Sequence, residues 1–283
     1  MFEDLKPHIQ DLRKRLMISA LTLVVAFVIC FTFWKHIFEW VKAPIAAAFA
    51  SGVHGKLIQI APAELIFVGI KVSFFAALVI SIPIIFWQLW LFVAPGLYKH
   101  EKKLVLPFVT FGSIMFVLGV IFSYYVVFPF IIKYVLAFGN DMADANISSS
   151  EYVTFFTRFI LAFGIGFELP VLAYFLAKVG LITDKTVKHY FRYAIVVIFI
   201  VAAVITPPDV FSQLLLAVPM LLLYGFSYFI ALMVNPASKL PKEDEEDEEK
   251  DEAQDKVNED ETKEDKQEDT SKSKSHKKSK GKK

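Results

Sequence analysis

Glu168 is the residue in this sequence most able to do chemistry, because it stands in the run Phe163-Gly164-Ile165-Gly166-Phe167-Glu168-Leu169-Pro170, near the middle of a long apolar segment. Even permissive scales charge about 2.5–3.5 kcal/mol for a charged side chain at the bilayer centre, so an acid there is buried or faces protein. Gly164 and Gly166 allow a neighbouring helix to approach closely, and Pro170 leaves a backbone carbonyl without its donor. Three readings stand open: a glutamate hydrogen-bonded inside its own bundle, a polar docking point for another helix, or a proton carrier. Lys71 and Arg158 lie nearer the outer ends of their segments and give an ion pathway thin support.

A second group of acids stands beside the apolar segments. Asp11 precedes the first of them among Arg13, Lys14 and Arg15, and Glu101 lies among Lys99, Lys102 and Lys103. A carboxylate accepts paired bonds from a guanidinium. Taken alone, however, an acid among lysines is more often a solvated charge, and exposed pairs contribute only about 0–1 kcal/mol. Catalytic sets are missing from the sequence: it has no glycine-rich phosphate loop, no HExxH and no plausible Ser, His and Asp combination. Cys30 is the only cysteine, which excludes an internal disulfide and a CxxC motif.

The elements that must position these acids are membrane spans. The chain has 283 residues, 55% of them hydrophobic. Apolar segments long enough to span fall at about 16–36, 67–93, 104–132, 152–179, 193–206 and 211–234. The fold expected is an all-α integral membrane protein of six transmembrane helices, with a short fifth helix stopped by Pro207 and Pro208 and a sixth free to tilt. The basic start followed by Leu16 to Phe33 is read as a retained first helix, being longer than a signal-peptide core and lacking a small-residue cleavage site.

Lysine and arginine cluster on alternate flanks: Lys6, Arg13, Lys14 and Arg15, then Lys99, Lys102 and Lys103, then Lys178, Lys185, Lys188 and Arg192. Such flanks stay cytoplasmic, so both termini are expected inside. The outer side then carries loops at about 37–66 and 133–151 and a tight turn at Thr206 to Asp209. Trp34, Trp40, Trp87 and Trp90 fall near span ends, where their rings suit the membrane interface. The near-neutral net charge of +1 conceals a division, since residues 242–283 hold 17 of the 29 acids and only 12 of the 30 basic residues. That segment cannot bury enough apolar surface to offset chain entropy. The expected organisation is a transmembrane domain over 1–236 and a disordered cytoplasmic tail over 237–283.

Four segments in order resemble the signature regions of the TatC family of the twin-arginine translocase. They are His8 to Leu16, Ala94 to Lys103, Phe163 to Pro170, and Thr206 to Gln213. The resemblance covers about residues 5–234. It implies a receptor in the bacterial cytoplasmic (inner) membrane that binds twin-arginine signal peptides of folded cargo. Such a receptor forms homo-oligomers within a larger complex with TatA and TatB-type single-span proteins and membrane lipids, and it draws on the proton-motive force. It implies no enzymatic activity, cofactor, metal or nucleic acid. Carried over by position, Glu101 and Asp11 form the acidic signal-peptide site, shaped by Arg13, Tyr98, Lys99, His100 and Lys103. Glu168 is then a partner-helix contact, and Pro44, Pro95 and Asp209 are structural or functional loop positions. Asp11 stands where the family usually has Glu, and Lys103 where it commonly has Arg; the first keeps the charge with shorter reach, the second loses the planar fork. A proton-coupled secondary transporter of a small solute is the competing reading.

Overall fold

The computed structural model describes residues 2–94, 103, 105–138, 144–206 and 209–236, with residues 2–9 as backbone only. The expected tail, 237–283, lies outside the described residues. Almost everything described is helical, as it must be where lipid offers the backbone no hydrogen-bond partners. Five stretches are long and apolar enough to cross a bilayer: Gln10–Thr32, Glu64–Val93, Val105–Ala137, Ser149–Lys178 and Val210–Val234. A sixth apolar helix, Phe191–Ile205, has 15 residues. At 1.5 Å per residue it is about 22 Å long, short of a hydrocarbon core of about 30 Å. The fifth helix is therefore short, as expected.

In chain order the helices are α1 (Phe2–Thr32), α2 (Trp34–Ala50), α3 (Glu64–Val93), α4 (Val105–Phe122), α5 (Phe128–Ala137), α6 (Ser149–Gly166), α7 (Glu168–Lys178), α8 (Asp184–His189), α9 (Phe191–Ile205) and α10 (Val210–Val234). A single π-helical turn, Ser123–Val127, joins α4 to α5. Helix α1 lies against α3 and leaves Leu16, Leu21, Val24, Val28 and Ile29 exposed, an apolar surface suited to lipid. The core sits where α3, α4 and α6 meet, around the fully buried Phe116, Phe128, Phe156, Phe159 and Phe163.

Two expected loops are largely structured. Most of 37–66 is the end of α2 and the strand β1 (Gly55–Ile58), while 133–151 contains the end of α5, the strand β2 (Ala145–Ser148) and the start of α6. The two strands pair in parallel, Gly55 opposite Ala145 and Ile58 opposite Ser148. Gly55 is required there, because a Cβ at that position would collide with the backbone carbonyl of Ala145. Trp90 also departs from the interface reading. It is buried, its ring centroid 4.2 Å from each of Phe108 and Phe175, so it ties α3 to α4 and α7 instead of facing headgroups. Trp40 stacks on Tyr124 at 4.0 Å while keeping 41% of its surface open.

Candidate functional site

The span from Ser149 to Lys178 is interrupted at Phe167, and Glu168 begins its second half. Pro170 has no N–H, so the regular ladder cannot run through this point. The break gathers three helices around the acid. Glu168 is only 8% exposed. Its Oε2 lies against α4 at Gly112, where a Cβ would stand 3.1 Å from it, and the ring of Phe86 on α3 borders the same spot at 3.4 Å. Its Oε1 is buried without a hydrogen-bond partner among the described residues. Of the two glycines singled out in the sequence, Gly164 faces the Phe116 ring on α4 and Gly166 faces Met220 on α10. Both close approaches are realised.

Asp11 and Arg13 are exposed on the first turns of α1 that enter the apolar region. Arg15 is half-buried, with its Nε enclosed and unpartnered among the described residues. Because α1 crosses once and α3 returns, the end of α3 at Val93 and the start of α4 at Val105 stand on the same side as Asp11. Between them, Lys103 is exposed, whereas Pro95, Tyr98, Lys99, His100 and Glu101 lie outside the described residues. Asp11 forms no ion pair among the described residues, in contrast to Lys42, which pairs with Glu39.

Pro44 is not in a loop. It is buried inside α2, where it cannot donate to the carbonyl of Trp40, and the hydroxyl of Tyr124 donates to that carbonyl at 2.9 Å instead. The neighbouring Val41 carbonyl accepts from the Tyr152 hydroxyl at 2.7 Å. The proline thus exposes a backbone acceptor through which α2 is fastened to the π turn. Asp209 has an equally local role as the N-cap of α10, its Oδ1 accepting from the Ser212 N–H at 2.7 Å.

Sequence reasoning missed Glu64. Its Oε1 accepts from the Ser148 hydroxyl at 2.6 Å and the Ser150 N–H at 2.8 Å, and its Oε2 from the N–H groups of Ile60 at 2.6 Å and Ala61 at 3.3 Å. One carboxylate therefore closes the strand pair over the starts of α3 and α6. The available signals were an acid opening an apolar helix and the run Ser148-Ser149-Ser150, too far apart in the chain to suggest contact.

The family model described as Sec-independent protein translocase protein (TatC) matches residues 7–219. A TatC from Helicobacter pylori strain J99 is 65% identical over 247 residues, covering 87% of this chain and 95% of that protein. One from Campylobacter jejuni is 49% identical, with 87% of this chain and 100% of the relative covered. A crystal structure of the twin-arginine translocase receptor TatC superposes with a TM-score of 0.74 at 36% identity, over 80% of this chain and 99% of that one. On these matches and on the helical frame that carries Glu168, the chain belongs to the TatC family and is a membrane-embedded, non-enzymatic component of the Sec-independent, twin-arginine protein translocase.

Proposed function

We propose that the chain is the receptor of this translocase in the bacterial cytoplasmic membrane. It binds paired-arginine signal peptides at its cytoplasmic surface, assembles with TatA and TatB-type single-span partners, and exports folded cargo at the expense of the proton-motive force. The observation that carries the reading is Asp11, an exposed carboxylate with no ion pair among the described residues, on the side of the bundle where α3 ends and α4 begins. Asp11 and Glu101 offer one carboxylate to each arginine of the signal. Each guanidinium presents a planar fork that a lysine lacks, which accounts for selectivity. Arg13, Lys103 and the Tyr98-Lys99-His100 stretch stand next to these acids in the sequence and would limit where a peptide can lie.

Orientation follows from the basic flanks, with both termini cytoplasmic. A reporter fused after Val234 is expected to read cytoplasmic, and one inserted at Asn146 periplasmic. The reversed pair of signals would place the acidic face on the wrong side and remove the proposed site.

Glu168 supplies the second contact. Its unpartnered Oε1 is a buried acceptor, and an incoming helix with a hydroxyl or amide donor would satisfy it. Interhelical hydrogen bonds in membranes contribute about 0.6–2 kcal/mol, so Glu168→Ala should weaken partner crosslinking and export about three- to thirtyfold, with the protein still inserted. Glu168→Gln keeps an acceptor and should remain near wild type. Complete loss of export with Glu168→Gln while crosslinks persist would assign the residue to proton transfer instead.

A further inference from the structure

At the membrane end where α3 and α6 begin and α9 stops, there is a cavity of about 380 Å³ that the translocation reading does not use. It exists because α9 is short: Ile205 and Thr206 form part of its wall. Two cations line it. Lys71 lies seven residues past the start of α3 and Arg158 nine past the start of α6, about 10 and 14 Å along their axes. Both positions fall within spans, where an uncompensated charge is expensive.

Neither cation is neutralised from within. Lys71 donates to the hydroxyls of Ser150 at 2.8 Å and Thr154 at 2.7 Å, both neutral, which leaves one ammonium proton free. Neither Lys71 nor Arg158 forms an ion pair among the described residues, although Glu151 lines the same cavity. Two positive groups therefore outnumber one acid. Phe155, Val204 and Ile205 form an apolar side of the wall, beside the hydroxyl residues Ser150, Thr154 and Thr206. A charged end beside an apolar wall suits a ligand that is anionic at one end and hydrocarbon at the other.

We propose that this cavity binds a phospholipid, its phosphodiester between Lys71 and Arg158 and an acyl chain along Phe155, Val204 and Ile205. The lipid supplies the missing negative charge and fills the dent left by the short helix, which lets two cations stay at this depth. Inorganic phosphate shares the charged chemistry but has nothing to lay against the apolar wall.

The test is native mass spectrometry of the full chain in detergent, titrated separately with phosphatidylglycerol, with diacylglycerol bearing the same chains, and with inorganic phosphate. Phosphatidylglycerol should be retained and diacylglycerol should not. Arg158→Gln and Lys71→Gln should each lower retention about fivefold, the weight of one cation near an anionic membrane surface, while Lys42→Gln should leave it unchanged. Arg158 is exposed, so its replacement decides the matter alone if Lys71→Gln fails to fold. Equal retention of the two lipids, or retention unchanged in the Arg158 variant, overturns the proposal. Displacement of phosphatidylglycerol by equimolar inorganic phosphate overturns it too, by showing a site for a free anion.

Discussion

Replacing Glu101 by alanine is expected to weaken binding of a twin-arginine signal peptide by about tenfold or more. A charge-assisted hydrogen bond contributes about 1.5–3 kcal/mol, and each 1.4 kcal/mol is a factor of ten in affinity. The loss falls on the guanidinium whose N–H groups would donate to Glu101, and which must then find water or a weaker acceptor. Asp11→Ala should do less, because Asp11 is exposed on α1, where salt and solvent screen its interactions, and its side chain is one methylene shorter. Replacing both arginines of the peptide by lysine should cost the wild-type protein more than it costs the Glu101 variant, since the fork then has no bidentate partner to lose. Crosslinking or direct affinity measurement on the detergent-solubilised protein reads these differences. Unchanged affinity in Glu101→Ala would remove this residue from the site.

How much of this was legible in the sequence depended on the range of the interactions. Span positions follow from local apolar length alone, and the expected segment 67–93 corresponds to Glu64–Val93 in the structure. The structured caps were not legible for the opposite reason. β1 and β2 are four residues each, and their pairing joins Gly55 to Ala145 across two whole spans, with no local pattern to announce it. Pro44 pointed to a loop because proline disrupts helix interiors, yet Tyr124, far along the chain, supplies the donor that the proline withholds. Glu64 stayed hidden for the same reason, its hydroxyl partner being Ser148.

The site divides along the same line. That Glu168 is buried was readable from the polarity of one residue in an apolar run. That the span breaks at Phe167, and that the acid lies against Gly112 of another helix, depends on three-dimensional packing. A tryptophan near a span end is equally ambiguous: Trp40 keeps an open face, whereas Trp90 is enclosed by Phe108 and Phe175. On α1, the type and position of Asp11 were enough to expect exposure, and it is exposed.

The closeness of α4 and α6 leads to the second large effect, expected at Gly119. A Cβ added there would stand 2.8 Å from the carbonyl oxygen of Phe163 and 2.9 Å from the ring of Phe167. The carbonyl belongs to the backbone of α6 and cannot swing aside as a flexible side chain could. Gly119→Ala must therefore push the two helices apart, and overpacking of this kind costs about 1–3 kcal/mol. The Phe116 ring amplifies the effect, since it is held against Gly164 with little slack. The consequence reaches the site, because Phe167 and Glu168 follow the displaced segment and the carboxylate loses its fit beside Gly112. Thermal unfolding in detergent should show lowered stability for Gly119→Ala, with partner crosslinking reduced as in Glu168→Ala. Binding of the signal peptide should be retained, because the proposed site includes Asp11, exposed on α1 and away from the α4–α6 crossing. Gly225→Ala is the control, as nothing lies within 4 Å of a Cβ at that position. Wild-type stability in Gly119→Ala would mean that α4 and α6 are not held at this distance, and the packing that seats Glu168 would have to be abandoned.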